Sequence, residues 1–211
     1  MNYTDLTAAI QDYAENDGTT FTNAIPTFIK QAEQRIYRSV NLPVNRKSQA
    51  GTISDGDKYL STPSDFLVPL SLSITTSSSN QVFLLNKDVN FIRSTYPNAS
   101  VTGEPKYYAI FDSTKFILGP TSGSSYVTEL HYYYQPASIV SSTTSWLGTN
   151  ADTVLLYGAL VEAYTYMKGD ADMMQLYQKR YEEALQLLKS QAEGRMTRDE
   201  YRSGTIRIGD N

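Results

Sequence analysis

His131 is the first residue to consider for chemistry, because the chain has no other histidine and no cysteine. The lack of cysteine excludes disulfides, thiolate zinc sites and cysteine nucleophiles. A metal-binding or general-base role for His131 needs carboxylates that the fold brings from elsewhere. A Ser-His-Asp triad also lacks the G-x-S-x-G turn that exposes a serine nucleophile. We therefore interpret His131 as a partly buried, hydrogen-bonded imidazole in a sheet.

Four short acidic segments are the other candidates for chemistry. Asp55-Gly56-Asp57 and Asp170-Ala171-Asp172 resemble fragments of calcium loops, but neither continues into the glycine and glutamate that complete such a loop, so turn and capping roles are favoured. Glu182-Glu183 and Asp199-Glu200 are adjacent pairs. Adjacent helical residues point about 100° apart, so neither pair supplies both carboxylates of a glycosidase. With no phosphate-binding glycine loop either, the sequence predicts no enzymatic activity, no cofactor and no metal.

Charge and composition narrow the class of partner. The formal net charge of −4 and the pI of about 5.0 argue against a dedicated nucleic-acid binder, whose affinity rests on neutralising phosphates. No apolar run approaches the roughly 20 residues that cross a bilayer, so we expect no membrane span. The first residues lack the pattern of a signal peptide, which predicts synthesis in the cytoplasm. The 17 tyrosines suit protein interfaces as well as cores.

The strongest helical pattern runs from Asn150 to Gly194. Apolar residues recur at helical spacing on both sides of Gly169, which we interpret as a left-handed helix end, and Asp170 is the predicted N-cap of the next helix. Gly194 is the predicted end of that second helix. Two helices joined by about two residues fold back antiparallel, so an αα-hairpin presents one apolar stripe to the rest of the chain.

Two more amphipathic helices are predicted at the start of the chain. Thr4 and Asp5 are candidate caps for a first helix that reaches about Asn16. Asn23 is the candidate cap of a second helix with Pro26 in its first turn, where the missing N–H costs nothing. Both ends of the chain thus carry apolar stripes that need a cover.

Between these helices the apolar period changes to two. Gly51-Thr52-Ile53 and Lys58-Tyr59-Leu60 flank a glycine-containing turn and predict a hairpin. Alternation over residues 68–75 predicts a half-buried strand, and Pro69 favours an edge position for it. The serine- and threonine-rich segment 137–145 predicts a loop or a linker back to the helices. Strands at 107–111 and 115–118 flank the tight turn 112–114 and predict a second hairpin, and another strand is predicted at 126–134.

These elements predict an α+β fold, in which the N- and C-terminal helices form one bundle. An antiparallel β-sandwich or barrel-like subdomain is inserted between the second and third helices. The predicted domains are a helical bundle of residues 1–45 and 147–194, a β subdomain of residues 46–146, and a C-terminal arm of residues 195–211. The insertion must leave and return at neighbouring points for the end helices to meet.

The C-terminal arm has a pattern of its own. Residues 195–204 have mixed charge, whereas residues 205–209 alternate like a short strand with Ile206 and Ile208 on one face. A tail of this kind is often disordered. The alternative is an ordered arm, which extends to roughly 55 Å and adds a strand to the sheet edge of another subunit, with both isoleucines in pockets.

Several packing motifs resemble those of a known family. They are residues 26–38 (PTFIKQAEQRIYR), 103–108 (GEPKYY), 156–163 (LYGALVEA) and 168–170 (KGD). Together they are similar to the head-to-tail adaptor proteins of short-tailed bacteriophages, which are related in design to the tail tubular proteins. The resemblance spans most of the chain and includes a C-terminal extension.

The resemblance implies a structural virion protein at the head-to-tail interface, made in the host cytoplasm. Such adaptors form a ring, typically of twelve copies, between the portal protein and the tail nozzle, with tail fibre proteins as further neighbours. Genome DNA passes through the channel during ejection without specific binding. In the family the C-terminal extension reaches the portal. The portal-contacting candidates here are therefore Tyr201, Arg202, Ile206, Arg207 and Ile208.

One rival function belongs to another class. The β subdomain would then be a binding module that recognises a carbohydrate or a host surface through Tyr107, Tyr108, Tyr132 and Tyr134. A cell-wall hydrolase is a third alternative, and it requires His131 or a carboxylate as an essential residue.

Overall fold

The computed structural model describes the backbone of residues 1–196 and the side chains of residues 1–193. Its helices and sheets confirm the α+β class. The chain forms two compact units. The helical unit is Met1–Val44 together with the described residues from Pro136 onward, and the β unit is Asn45–Gln135. None of the described helices is long and apolar enough to cross a membrane.

The helices are α1 Tyr3–Ala14, α2 Thr19–Ser39, α3 Val89–Thr95, α4 Ile139–Ser142, α5 Trp146–Asn150, α6 Asp152–Met167 and α7 Ala171–Met196. All except α3 lie in the helical unit. α6 is the centre of this unit, because it packs against α1, α2 and α7 and is buried around most of its circumference. The apolar stripes from the two ends of the chain therefore cover one another.

One charged cluster joins three of these helices. Arg35 on α2 forms an ion pair with Glu162 on α6. The guanidinium of Arg35 also lies over the ring of Tyr181 on α7, 5.6 Å from its centroid. A planar guanidinium can pair with a carboxylate and stack on an aromatic ring at the same time, whereas a lysine ammonium combines these two contacts less well. The cluster therefore contributes a polar link across the stripe that the helices share.

α2 begins earlier than the sequence predicted. It starts at Thr19, so the prediction of Asn23 as its cap was wrong, and Pro26 lies inside the helix. The added residues 19–23 bury Phe21. Burial of one large apolar side chain contributes roughly 1.5–3 kcal/mol, which is comparable with the cost of about 3 kcal/mol for an internal proline.

The start of α1 also differs in detail from the prediction. Asn2 is the N-cap, and its side-chain oxygen accepts the N–H of Asp5 at 2.9 Å. The Asp5 carboxylate accepts the N–H of Asn2 in return, which completes a capping box. Asp5 therefore supports the helix from its third position and is not itself the cap.

The corner between α6 and α7 has the predicted cap but a different helix end. The Asp170 carboxylate caps α7. The left-handed residue is Lys168, with a φ of 53°, and not Gly169. Gly169 is needed for space, because a Cβ at this position would lie 2.8 Å from the ring of Tyr164. The helix end predicted at Gly194 was wrong, since α7 runs through that residue.

Residues 137–145, predicted as a loop that ends the β subdomain, belong to the helical unit and contain α4. Ser138 caps this short helix with its side chain. Glu33 on α2 accepts the N–H of Ile139 at 2.9 Å. Because Glu33 is only 2% exposed, burial raises the pKa of its carboxyl, while the hydrogen bonds from Ile139 and Ser138 act in the opposite direction.

The strands of the β unit are β1 Arg46–Ile53, β2 Tyr59–Ser61, β3 Phe66–Thr75, β4 Gln81–Phe83, β5 Leu85–Asn86, β6 Thr102–Gly103, β7 Tyr107–Asp112, β8 Lys115–Gly119, β9 Thr121–Ser122 and β10 Tyr126–Tyr134. The first sheet has the order β1-β10-β3-β4 and the second sheet the order β2-β8-β7-β5, while β6 and β9 form a separate pair. Pairing is antiparallel except between β5 and β7 and between β6 and β9. The described strands form no closed barrel.

The two four-stranded sheets share an apolar core. Leu72 and Leu130 come from the first sheet, and Tyr108 and Phe116 come from the second. The rings of Tyr108 and Phe116 meet edge to face at 5.5 Å between centroids, a favourable geometry for aromatic pairs. Of the two forms predicted for the subdomain, the layered arrangement is therefore the one observed.

One of the predicted hairpins was wrong. β1 and β2 flank a tight turn but lie in different sheets, because β1 pairs with β10 and β2 pairs with β8. The hairpin of β7 and β8 was confirmed. Arg46, at the start of β1, lies opposite Tyr133, near the end of β10. The chain therefore enters and leaves the β unit through adjacent strands.

Candidate functional site

The residues predicted to contact a portal lie outside the part of the chain that the structure describes, so their role stays a prediction. They are Tyr201, Arg202, Ile206, Arg207 and Ile208. His131, the lone histidine, lies on β10 and lines an open groove. Within residues 1–193, no cluster of three or more histidine, aspartate or glutamate side chains could hold a metal ion.

The four tyrosines of the rival binding module do not form one surface. Tyr108 and Tyr132 are buried in the core shared by the two sheets. Tyr107 packs edge to face against Phe91, with 5.3 Å between ring centroids, and Tyr134 packs against the shared core. Aromatic platforms for sugars need exposed ring faces, and this group does not offer a common one.

The outer face of the first sheet carries a polar cluster centred on Glu129. One carboxylate oxygen of Glu129 accepts the hydroxyl of Ser48 at 2.8 Å, and the other accepts the side-chain amide of Gln81 at 2.8 Å. These residues and His131 line a groove of about 320 Å³. Both of these hydrogen-bond donors are neutral groups. The face thus holds an oriented carboxylate whose donors here are neutral.

A second polar cluster fixes the start of β1. Lys47 and the hydroxyl of Tyr132 both donate to the carboxylate of Asp65, at 2.7 and 2.8 Å. These hydrogen bonds, that from Lys47 first, hold the pKa of Asp65 below its ordinary value, and the bond to Asp65 raises the pKa of Lys47. Burial raises the pKa of Tyr132. The cluster holds the one lysine of β1 against the surface of its own unit.

The two edges of the first sheet are built differently. β1 forms one edge and pairs with β10 over eight consecutive residues without a shift in register. At the other edge, β4 pairs only with Ser73–Thr75 of β3. The rest of β3 contains Pro69 and two register shifts against β10. Prolines and bulges obstruct the addition of another strand, so the β3 edge is protected and the β1 edge is open.

A groove of about 370 Å³ lies between β1 and β2, the edge strands of the two sheets. Gln49 and Gly51 of β1 form one side, and Leu60 of β2 forms part of the other. Leu130 of β10 contributes to its floor. Leu60 and Leu130 are apolar residues of the shared core, and much of the rest of the lining is polar.

Comparison with protein families gives the class of protein to which the chain belongs. The family described as SU10 adaptor protein matches residues 1–208. This chain belongs to the SU10 adaptor protein family. The family is one of phage head-to-tail adaptors, so the resemblance noted in the sequence is confirmed. A search of the curated proteins found no match.

As an SU10 adaptor, the chain is a structural bacteriophage protein of the head-to-tail junction. A family of structural phage adaptors points to a role other than catalysis. The relevant chemistry is therefore that of contact surfaces. The surface features of this chain described above are the open β1 edge, the groove beside it and the carboxylate of Glu129.

Proposed function

We propose that the protein assembles as a ring, of twelve copies, that joins the portal protein to the tail nozzle and surrounds the DNA channel. The observation that carries this proposal is the match to the SU10 adaptor family over residues 1–208. That match includes the helical unit, the β unit and most of the C-terminal arm. Portal contact by the arm and contact with tail fibre proteins belong to the same proposal.

The surfaces of both units support assembly with neighbours. A ring joins unlike patches on successive copies, so each copy needs two different contact surfaces. The β unit has the open β1 edge. On the helical unit, Leu187 of α7 is 67% exposed and lines a groove of about 200 Å³ beside the start of α6. Exposed apolar side chains at a concave surface favour a protein partner.

The charge of the chain fits a channel that does not hold DNA. A net charge of −4 provides no general attraction to phosphate groups, whereas DNA-binding proteins gain affinity by neutralising them. Genome DNA would therefore pass without a specific contact. Passage through the ring, and not recognition of sequence, is the proposed relation between the protein and DNA.

Electron microscopy of the purified chain with the portal protein of the same phage tests this function. We expect portal particles to gain a ring-shaped layer at one end, and portal particles alone provide the control. A chain with residues 197–211 deleted should keep its helical and β units but lose this docking. Portal particles that remain unchanged with the full chain in excess would contradict the proposed function.

A further inference from the structure

The direction of the backbone groups in β1 follows from the register of the first sheet. The Leu72 carbonyl accepts the N–H of Leu84 at 2.8 Å, so Leu72 directs its backbone groups to the β4 side and not to β10. Leu130 of β10 lies opposite Leu72 on one side and Gln49 on the other. Opposed residues in antiparallel strands either exchange both backbone hydrogen bonds or exchange none. Leu72 and Leu130 exchange none, so Leu130 directs its backbone groups to β1, where Gln49 is its partner.

Ser48, Ala50 and Thr52 therefore point their N–H and C=O groups away from the sheet. Among the described strands none pairs with this side of β1. The strand contains no proline, and its pairing with β10 has no bulge. Such a row of backbone groups is the template to which an extended peptide adds.

The two faces of β1 require different side chains from an added strand. On the outer face, Ala50 lies opposite Glu129, the carboxylate with neutral donors. On the inner face, the groove between β1 and β2 reaches Leu60 and Leu130. Gly51 leaves the inner face without a side chain. A cation on one face of the strand and apolar side chains on the other satisfy both requirements.

We propose that residues 205–209 of a neighbouring copy bind along β1 as an added strand. In this segment Ile206 and Ile208 alternate with Arg207, so both isoleucines face the groove when the guanidinium faces Glu129. Residue 205 comes nine positions after residue 196, and an extended connection of that length spans roughly 30 Å.

The contact rests on the proposed ring function and deepens it. An arm that binds the edge of the next copy joins two unlike surfaces, and repetition of such a contact around a rotation axis closes a ring. Main-chain hydrogen bonds provide affinity, and the two isoleucines provide register. The proposal leaves Tyr201 and Arg202 of the arm for the portal, and it places Ile206, Arg207 and Ile208 on a neighbouring copy in place of the portal contact that the resemblance implies for them.

Disulfide mapping tests the contact, because the natural chain has no cysteine. The full-length variant Ala50→Cys is mixed in turn with one of five full-length variants, and each mixture is assembled on portal and oxidised. The five variants are Thr205→Cys, Ile206→Cys, Arg207→Cys, Ile208→Cys and Gly209→Cys. We expect a bonded pair, at twice 23.6 kDa, for position 207, which the proposal places opposite Ala50. The other four positions should give at least about tenfold less, because residues 206 and 208 lie on the opposite face, and residues 205 and 209 lie too far along the strand for a disulfide.

The outcomes separate this contact from the ring itself. If rings form but no disulfide-bonded pair is found, or if all five positions bond equally, the added strand is refuted and the proposed function is not. The doubly substituted chain Ala50→Cys, Arg207→Cys tests whether the arm binds a neighbouring copy. A disulfide that forms only within one chain would overturn that assignment. If the wild-type chain forms no ring on portal, the proposed function fails first.

A backbone substitution provides an independent test. Ala50→Pro removes one outward N–H without removing a bond to β10, whereas Ala50→Ser keeps that N–H. We expect Ala50→Pro to raise the concentration needed for ring assembly at least about tenfold, in line with a lost hydrogen bond and a blocked edge. Thermal unfolding of each unassembled variant is the control, and we expect both variants to keep the fold. Equal assembly of the two variants would overturn the proposal.

Discussion

Glu33 is a carboxylate whose position is explained by a single backbone group. It lies on α2 in a segment that the sequence marked only as a packing motif, and it accepts the N–H of Ile139 at the start of α4. A buried N–H without a partner is costly, so the carboxylate contributes although its own burial is unfavourable. Sequence could not reveal this role, because the two residues are 106 positions apart.

Substitution of Glu33 should separate the hydrogen bond from the charge. Glu33→Leu leaves the Ile139 N–H buried without an acceptor, and we expect the free energy of unfolding to fall by about 1–3 kcal/mol. Glu33→Gln keeps an oxygen acceptor and should cost at most about 1 kcal/mol at neutral pH. Urea unfolding at pH 7 measures both variants. Equal losses would show that the hydrogen bond is not the reason for the glutamate.

The pH dependence of the same residue has a definite sign. Burial raises the pKa of Glu33 in the folded chain above its ordinary value of 4.5, so the folded state binds the proton more tightly. The resulting stability is fully present below pH 4.5 and is lost as the pH rises through the folded-state pKa. Relative to Glu33→Gln, the wild-type free energy of unfolding should therefore fall over this interval. A difference that rises with pH would contradict the assignment.

At the scale of elements, the corner between α6 and α7 shows what a local pattern can and cannot predict. The break between two helices and the cap at Asp170 were predicted, because both are encoded by neighbouring residues. The left-handed position was assigned to Gly169, since glycine favours it, but the chain uses Lys168. The reason is tertiary: Gly169 makes room for the ring of Tyr164, which belongs to the preceding helix.

Two substitutions at this corner should have opposite effects. Gly169→Ala places a Cβ 2.8 Å from the ring of Tyr164, which is held by its hydrogen bond to the Tyr13 carbonyl and by contact with Tyr177. We expect a loss of about 1–3 kcal/mol. Lys168→Gly relieves a positive φ and should gain up to about 1 kcal/mol. Chemical denaturation measures both, and the reverse order would refute this explanation of the corner.

The sheet edge is the feature that local patterns missed. β1 and β2 are joined by a short turn, so the sequence favoured a hairpin, whereas β1 pairs with β10 about 80 residues later. Long-range pairing is not encoded in the turn, because it depends on which apolar faces meet in the core. The β7 and β8 hairpin and the strand β10 were predicted, since their alternation and turn are local.

At the scale of the whole molecule, the chain combines a helical unit made from both ends with an inserted β unit. The α+β class was predictable from the change in apolar period from near four to two. The placement of β1 and β2 in two different sheets was not predictable in this way. Each unit has its own apolar core, which allows each to be considered as a folding unit.

The β unit should fold without the helical unit. Residues 45–135 contain the shared core of both sheets, and the chain enters and leaves through β1 and β10, which pair with each other. We expect the fragment 45–135 to be monomeric and to unfold in one cooperative thermal transition with strand-type circular dichroism. The full-length chain is the reference. A fragment without a transition would show that its sheets depend on the helical unit.

The mass of the complex between portal and adaptor tests the central claim most directly. Each chain contributes 23.6 kDa, so native mass measurement of portal particles before and after saturation counts the bound copies. The proposed ring predicts an increase of about twelve times that mass in one cooperative step, without intermediate occupancies at equilibrium. No increase, or a gradual series of single-copy additions that stops short of a closed ring, would contradict it.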